Sequence, residues 1–464
     1  MDMPADILAR QRAAFLRDGP PSADQRKADL KQLRQALIDK RPQIEAAINA
    51  DFGHRSRYET ALMEIMPTVQ GIDYLIRNLR RFMRPQRRHV ELTFRMARAR
   101  VEYQPLGVVG IVAPWNYPMS LAIMPLATAI AAGNRAMIKP SEFTPKTSQL
   151  TADMLAAIFP QDQVAVVLGD AQVGAAFSAL PFDHLLFTGS TPVGRAVMRA
   201  AAENLVPVTL ELGGKSPVII APGQATQDHL ATITFGKLAN AGQTCIAPDY
   251  ALVHEDDLAA FRTGFNEAVA KIYPAGPSSA DYSAIINQRH YDRLIHLLDD
   301  ARAKGAEIVL PGKPSPSPRA KTLPPALIFN TTNEMEVMQQ EIFGPLLPVI
   351  TYRDIEETIA YINARPRPLA LYYFGPDDGA RKRVLTRTTS GNVGINSTLM
   401  HYAQDDLPFG GVGHSGMGAY HGIEGFRAMS HAKGIYVQGR LSAANLVRAP
   451  FGRFADFILK ILLR

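Results

Sequence analysis

The stretch VVGIVAPWNYPMSLAIMPLATAIAAGNRAMIK, residues 108–139, decides the fold. It opens on a short apolar run, Val108 to Ala113, and closes on another, Ala136 to Lys139, with the apolar stretch Leu121 to Gly133 between them. Strand, helix and strand at this spacing make the unit of a parallel sheet, because parallel neighbours need a crossover connection. The rhythm continues through Val164 to Leu168, His184 to Thr188 and Val208 to Leu212. A second series follows: Val218 to Ile220, a helix around Ile233 to Ala241, Tyr250 to Val253, a helix through Phe265 to Ile272, then Glu307 to Leu310, Val349 to Tyr352 and Leu371 to Phe374. Two α/β domains in tandem are expected. Pro125 interrupts Leu121 to Gly133, which falls short of the roughly 18–20 residues of a spanning helix, so no transmembrane segment is expected.

Upstream, Leu30, Leu33, Leu37 and Ile38 recur at helical spacing over Ser22 to Lys40, with Ser22 and Gln25 in the form of a capping box. Pro42 suits the start of a second helix reaching about Asn49, Gly53 marks the turn beyond it, and Thr60 to Phe82 reads as a helix bent near Pro67. Arg84 to Arg100 interleaves Val90, Leu92, Phe94 and Met96 with polar residues, a period-2 pattern for an exposed strand or hairpin at a sheet edge. Pro311 to Pro318, with Lys313 inside and Arg319 beyond, reads as a surface loop. PFGGVGHSGMG, Pro408 to Gly418, must be a loop with unusual dihedrals or a close approach.

The chain has 464 residues, 47% hydrophobic and 20% charged, which excludes disorder and fibrous repeats and leaves ample length for a core. Fifty Lys plus Arg against 43 Asp plus Glu give a net charge of +7. Nucleic acid binding would need those charges clustered, and the basic run alternates instead, so none is expected. The single Cys excludes an internal disulfide and suits a reducing compartment; with no signal-like apolar core in MDMPADILARQ, a cytoplasmic protein is expected.

The lone thiol, Cys245 in AGQTCIAP, reads as an inert core residue until its companions are considered. Glu211 closes an apolar strand just ahead of Gly213 and Gly214, a placement that presents a base to a cleft. Asn116, in PWNYP beyond the first strand, offers an amide where open α/β sheets take ligands, although turns also favour Asn. Gly189 to Gly194, after the strand His184 to Thr188, resembles a dinucleotide fingerprint that lacks its middle glycine. Lys139 and Glu142 close the second strand and suit either a ribose or a solvated ion pair. Gly214-Lys215-Ser216 mimics a P-loop, but Thr209 stands where its first glycine belongs and Pro217 spoils the following helix. His401, His414, His421 and His431 are too widely spaced for a metal motif, so no metal is expected.

Together, PWN ending at Asn116, IKPSE ending at Glu142, FTGSTPVG ending at Gly194, VTLELGGKSP around Glu211, GQTC ending at Cys245 and EIFGP from Glu341 resemble the aldehyde dehydrogenase superfamily over most of the chain. The short segment before Pro105 and PFGGVGHSGMGAYHG resemble its class 3-like branch, and the tail APFGRFADFILKILLR is similar to that of bacterial coniferyl aldehyde dehydrogenases. The resemblance implies a Rossmann-like cofactor domain, a second α/β catalytic domain and a small bridging sheet used in oligomerisation. It divides the chain into 1–87 with 104–211 for NAD(P), 212–399 for catalysis, 88–103 with 400–440 as the bridge, and 441–464 as an amphipathic tail.

It also implies roles. Cys245 attacks the aldehyde carbon, Asn116 and the Cys245 N–H hold the oxyanion, hydride passes to the nicotinamide, and Glu211 activates the water that hydrolyses the thioester. Glu211 argues against coenzyme A-dependent relatives, which lack this base. Gly189, Ser190 and Gly194 would line the pyrophosphate, Lys139 and Glu142 the adenine ribose, Glu341 the nicotinamide ribose and Phe343 its ring. The Glu142 carboxylate favours NAD over NADP, with NADP tolerated. Tyr117, Thr244 and Ile246 are expected to touch the aldehyde, and Met400 with His401 to cap it. The expected substrate is aromatic, such as coniferaldehyde, with a medium- or long-chain fatty aldehyde as the alternative; a thiol esterase or an inactive scaffold on this fold is the rival class. A homodimer is expected, and the basic amphipathic segment Phe451 to Arg464 suits docking on a subunit or contact with a membrane surface.

Overall fold

Val108–Val112 stands inside a six-stranded sheet whose spatial order is Gly416–Met417, Val208–Glu211, His184–Thr188, Val108–Val112, Arg135–Lys139, Val164–Val166. Five strands are parallel and Gly416–Met417 joins antiparallel. This is a computed structural model of the chain, and it describes residues 3–91, 97–312, 321–440 and 448–463. From Val108–Val112 the chain adds two strands on one side, then returns to the other side for His184–Thr188. Strand order therefore reverses between Val108–Val112 and His184–Thr188, and the crevice beyond their carboxyl ends is where open α/β sheets take ligands. The crossover helix Ser120–Ala132 is buried at every residue, Pro125 included, which is why its sequence is apolar all round.

The second sheet runs Glu307–Val309, Ala326–Phe329, Leu346–Tyr352, Tyr250–His254, Pro217–Ile220, Ala370–Phe374, Asn392–Ile395, parallel except for Glu307–Val309. A third, antiparallel sheet joins Gln86–Arg88, Arg98–Pro105 and Ser430–Val437. The fold is α/β: a Rossmann-like sheet, a second α/β unit and a small antiparallel sheet.

Several expectations need correction. Helix Pro4–Asp18 has no counterpart in the sequence reading; its buried Gln11 donates to the Ala136 and Gln161 carbonyls, a tertiary role no periodicity signals. Glu307–Val309 is an antiparallel edge, and Ala326–Phe329, Asn392–Ile395 and Gly416–Met417 are strands too short to stand out. The alternating stretch holds Gln86–Arg88 and the start of Arg98–Pro105, which pair with each other; its Leu92, Phe94 and Met96 lie outside the described residues, as do Lys313, Arg319 and most of the Pro311 to Pro318 loop. In PFGGVGHSGMG the close approach is real: a Cβ on Gly416 would overlap the Leu210 carbonyl, and this lets the loop add a strand beside Glu211.

The N-terminal helices form as read. Ala23–Asp39 is capped by Ser22, whose Oγ accepts from the Gln25 N–H at 3.1 Å, and Leu30, Leu33 and Leu37 bury against the core. The bend near Pro67 is a π-helical turn, Ala61–Ile65, between Arg57–Thr60 and Met66–Phe82. Such turns often occur at functional sites. This one carries Glu64, whose Oε1 lies 2.9 Å from Arg55 Nη1, both side chains fully buried. Glu64 Oε2 accepts from the N–H groups of Met119 (2.8 Å) and Ser120 (3.2 Å), where helix Ser120–Ala132 begins and its dipole favours a carboxylate. Arg55 Nη1 donates to the Asn116 carbonyl at 3.0 Å, and the guanidinium lies 5.0 Å and 4.8 Å from the ring centroids of Phe52 and Tyr117.

At the carboxyl end, helix Arg453–Leu462 buries none of its residues; Phe454, Phe457, Ile461 and Leu462 are all more than half exposed. No helix among the described residues is long and apolar enough to cross a membrane.

Removing one member of the Arg55–Glu64 pair leaves the other charge buried and unpaired. We expect Glu64→Ala to cost about 3–5 kcal/mol in urea unfolding, and Arg55→Met with Glu64→Leu to recover most of that loss. A Glu64→Ala variant as stable as wild type would remove the pair from the account of this fold.

Candidate active site

Cys245 is delivered by a strained turn. After helix Gln227–Leu238 the chain passes through Asn240 and Ala241, each at φ 51°, and Gly242 at φ 77°. Three consecutive left-handed residues are costly for L side chains, and at Gly242 a Cβ would overlap the Gly344 carbonyl. Neighbouring bonds hold the turn in place. The Asn240 N–H donates to Glu59 Oε1 at 2.9 Å, and Asn240 Nδ2 donates to the Asn116 carbonyl at 3.0 Å. Gln243 acts as a peg: its amide donates to the carbonyls of Asn240 and Ala284 at 3.0 Å and accepts the Ile286 N–H at 2.9 Å. The next residues, Thr244, Cys245 and Ile246, form one wall of a cavity of about 590 Å³.

From the first sheet, the segment after Val108–Val112 brings Asn116 and Tyr117 to the same place. Asn116 Nδ2 donates to the Gln243 carbonyl at 3.2 Å, using one of its two hydrogens and leaving the other as a donor. Tyr117 Oη and Thr244 Oγ1 share a hydrogen bond of 2.7 Å across the cavity wall. Glu211, at the end of its strand, is buried, and neither carboxyl oxygen has a hydrogen-bond partner. Burial raises its pKa well above the usual carboxylate range. Burial pushes the Cys245 thiol up to about 12, with the charges of Glu341 and Glu211 adding to the shift and the N–H groups of Cys245 and Ile246 opposing it. At neutral pH the resting sulfur is therefore a thiol, and two carboxyl groups sit close enough to act on it.

The rest of the cavity comes from residues the sequence reading missed, chiefly Leu62 and Met63 of the π turn, Pro67, Ser120 and Tyr402. The one signal for them was Pro67, whose missing N–H disturbs the helix there. Met400 lines the cavity at 48% exposure, as a cap would. His401 does not line it: its ring lies 5.7 Å from Tyr372 and 6.1 Å from Phe409 in an aromatic cluster, and burial lowers its pKa to about 4. Successive residues of a turn point to different sides, and spacing alone gave no way to tell which.

The remaining candidates gather in two groups. Lys139 Nζ donates to the Pro140 carbonyl at 2.9 Å and lies 3.2 Å from Glu142 Oε2, at the carboxyl end of Arg135–Lys139. Gly189 follows His184–Thr188, and its N–H donates to the Glu211 carbonyl at 3.0 Å. Ser190 opens helix Thr191–Ala202 without capping it, and Gly194 packs so closely on Leu212 that a Cβ would collide with it. On the other side, burial and then Asp249 push Glu341 up to about 8, while the Gly214 N–H, donating to it, opposes the shift. Gly213 cannot carry a Cβ without overlapping the Glu341 carboxylate. Phe343, at φ 51°, meets Trp115 edge-on at 5.3 Å. No cluster of three or more metal-ligating side chains occurs among the described residues.

The thiol lines an apolar cavity beside a sheet's switch point, next to the turn that Asn116 bonds, and the unpartnered Glu211 carboxyl lies buried at the end of a strand of that sheet. Known proteins match the chain over most of its length. The aldehyde dehydrogenase family model matches residues 7–435. A protein of Pseudomonas aeruginosa described as a probable coniferyl aldehyde dehydrogenase is 53% identical over 99% of this chain and 96% of its own length. Coniferyl aldehyde dehydrogenase of Pseudomonas sp. strain HR199 is 48% identical over 98% and 95%. The substrate-bound structure of Staphylococcus aureus AldH superposes with a TM-score of 0.94 at 37% identity, covering 100% of both chains. With its fold, its cavity and its sequence in agreement, the chain belongs to the aldehyde dehydrogenase family, enzymes that oxidise aldehydes with NAD(P).

Proposed function

We propose that Cys245, Glu211 and Asn116 carry out this oxidation, and that the substrate is an aromatic aldehyde of the coniferaldehyde kind. The observation that carries the reading is that the only thiol stands in the cavity wall while the Glu211 carboxyl is buried with neither oxygen partnered. Sγ bonds to the aldehyde carbon as the thiol proton passes to the ionised form of Glu211, which releases it to solvent, and the oxyanion takes hydrogen bonds from Asn116 Nδ2 and the Cys245 N–H. Once the carbon is at the oxidation level of a thioester, Glu211 takes a proton from water, the water oxygen adds to the carbonyl, the C–S bond breaks, and acid and free Cys245 result. Tyr117, Thr244, Ile246 and Met400 shape the space around the aldehyde. The relatives' names support an aromatic substrate; the mainly apolar lining also suits a long-chain alkanal, which is the second reading.

NAD(P), when bound, supplies the hydride acceptor. The chain fits such a group: helix Thr191–Ala202 begins uncapped at the switch point, and the buried Thr188 hydroxyl beside it has no partner. Gly189, Ser190 and Gly194 would hold the pyrophosphate, Lys139 and Glu142 the adenine ribose, and Glu341 and Phe343 the nicotinamide end. Glu142 disfavours a 2′-phosphate, so NAD is preferred and NADP tolerated. We divide the chain accordingly into 1–87 with 104–211 around the cofactor, 212–399 around Cys245, 88–103 with 400–440 as the bridge and 441–464 as the tail. The enzyme is a homodimer in this reading, with the exposed apolar face of Arg453–Leu462 covered by a second copy.

Four tests follow from these assignments. Cys245→Ala abolishes NADH formation, and wild-type kcat/KM is higher for coniferaldehyde than for a long-chain alkanal; the reverse order would move the enzyme to lipid aldehydes. Glu211→Gln keeps a single-turnover burst but slows steady turnover by about 10²–10⁴-fold. Because burial raises the pKa of Glu211, its carboxylate form, the one that activates water, appears at higher pH than an ordinary carboxylate, so wild-type turnover limited by hydrolysis rises with pH, and this rise is absent from the variant. Glu142→Gln improves kcat/KM with NADP by about tenfold, equivalent to about 1.4 kcal/mol of removed repulsion. Light scattering should give a dimer that weakens when residues 451–464 are deleted; an unchanged mass together with sedimentation of the full chain on anionic vesicles would assign the helix to a membrane surface instead.

A further inference from the structure

A second, much smaller cavity shares Pro67, Ser120 and Tyr402 with the first. The two differ in chemistry. The first is bounded mainly by hydrocarbon, whereas the second adds Thr68, Asp405 and His421. Hydroxyl groups link the shared wall: Thr68 Oγ1, which donates to the Glu64 carbonyl at 2.7 Å, lies 3.1 Å from Ser120 Oγ, and Ser120 Oγ and Tyr402 Oη are 3.2 Å apart. His421 is 4% exposed, and neither ring nitrogen has a hydrogen-bond partner. It is wedged among Tyr402, Phe409 and Tyr420, with ring centroids 4.6–5.3 Å away. Burial, then the neighbouring His401, lowers its pKa to about 3, so the ring is neutral and offers one donor and one acceptor. A buried group with both functions unused calls for a partner that can give and take a hydrogen bond, and a hydroxyl does both.

Resting on the aromatic-aldehyde reading above, we infer that the two cavities form one substrate site, in which the apolar cavity holds the ring and the Ser120–Tyr402–His421 side receives a hydroxyl carried at the far end of the aldehyde. Ser120, Tyr402 and His421 are then the residues that recognise the para-hydroxyl of a coniferaldehyde-type substrate. A site built to hydrogen-bond a hydroxyl discriminates against an analogue that lacks it, because the site's own polar groups are left unpaired. Tyr402 also connects this end to the reacting end, since it lines the cavity of Cys245.

The test uses the full-length enzyme with saturating NAD and three aldehydes: 4-hydroxycinnamaldehyde, cinnamaldehyde and 4-methoxycinnamaldehyde. We expect kcat/KM for the hydroxylated compound to exceed the other two by about tenfold or more, mostly through KM. In Tyr402→Phe and in Ser120→Ala that ratio should fall to within about threefold. Equal turnover of all three by the wild type overturns the inference and leaves the aromatic reading intact, as does a ratio that survives in both variants. Oxidation of alkanals with none of the three aromatic aldehydes turned over overturns both. Should the variants fail to fold, calorimetric Kd values of the wild type for 4-hydroxycinnamate and cinnamate decide: tighter binding of the hydroxylated acid supports the subsite, and equal values overturn it.

Discussion

Arg55 and Glu64 meet in the interior with both side chains fully buried, and each also bonds the segment that carries Asn116. A buried ion pair is a poor source of net stability, because desolvating two charges cancels much of their attraction. Its effect here is positional. Glu64 holds the first N–H groups of helix Ser120–Ala132, Arg55 holds the Asn116 carbonyl and faces the Tyr117 ring, and Asn116 in turn bonds the Gln243 carbonyl two residues before Cys245. The N-terminal helices, the first sheet and the turn that presents the thiol are thus tied at one point.

The geometry of that turn is paid for in backbone strain. Asn240, Ala241 and Gly242 occupy the left-handed region, and the Gln243 side chain, with three bonds into its surroundings, keeps them there. Placing the thiol on such a turn fixes it against Asn116 and Tyr117, which come from a different sheet. Burial raises the pKa of both Cys245 and Glu211, so both groups favour the protonated form more than they would in water.

Motifs close in sequence were the easiest to read. Ser22 caps its helix, Gly194 packs on Leu212, and the stretch 108–139 forms the strand, helix and strand its pattern required. His401 was placed on the wrong side of its turn, and Arg55, Glu64, Asn240, Gln243, Tyr402 and His421 gave no signal. Gln243 stands in GQTC and His421 in PFGGVGHSGMGAYHG, but these motifs did not show their roles, and the contacts that matter reach far along the chain, such as Arg55 with Asn116 or Ser120 with Tyr402.

The sequence by itself determined the α/β class, the alternation of strand and helix, and the motifs around Asn116, Glu211 and Cys245, because strand and helix periods and glycine punctuation are local properties of a chain. Only the tertiary structure decided that Glu211 has no partner, that the π turn supplies Leu62 and Met63 to the cavity, and that His421 stands with two unused nitrogens behind Tyr402. Burial, desolvation and hydrogen-bond satisfaction depend on what surrounds a side chain, and those surroundings come from segments far apart in sequence.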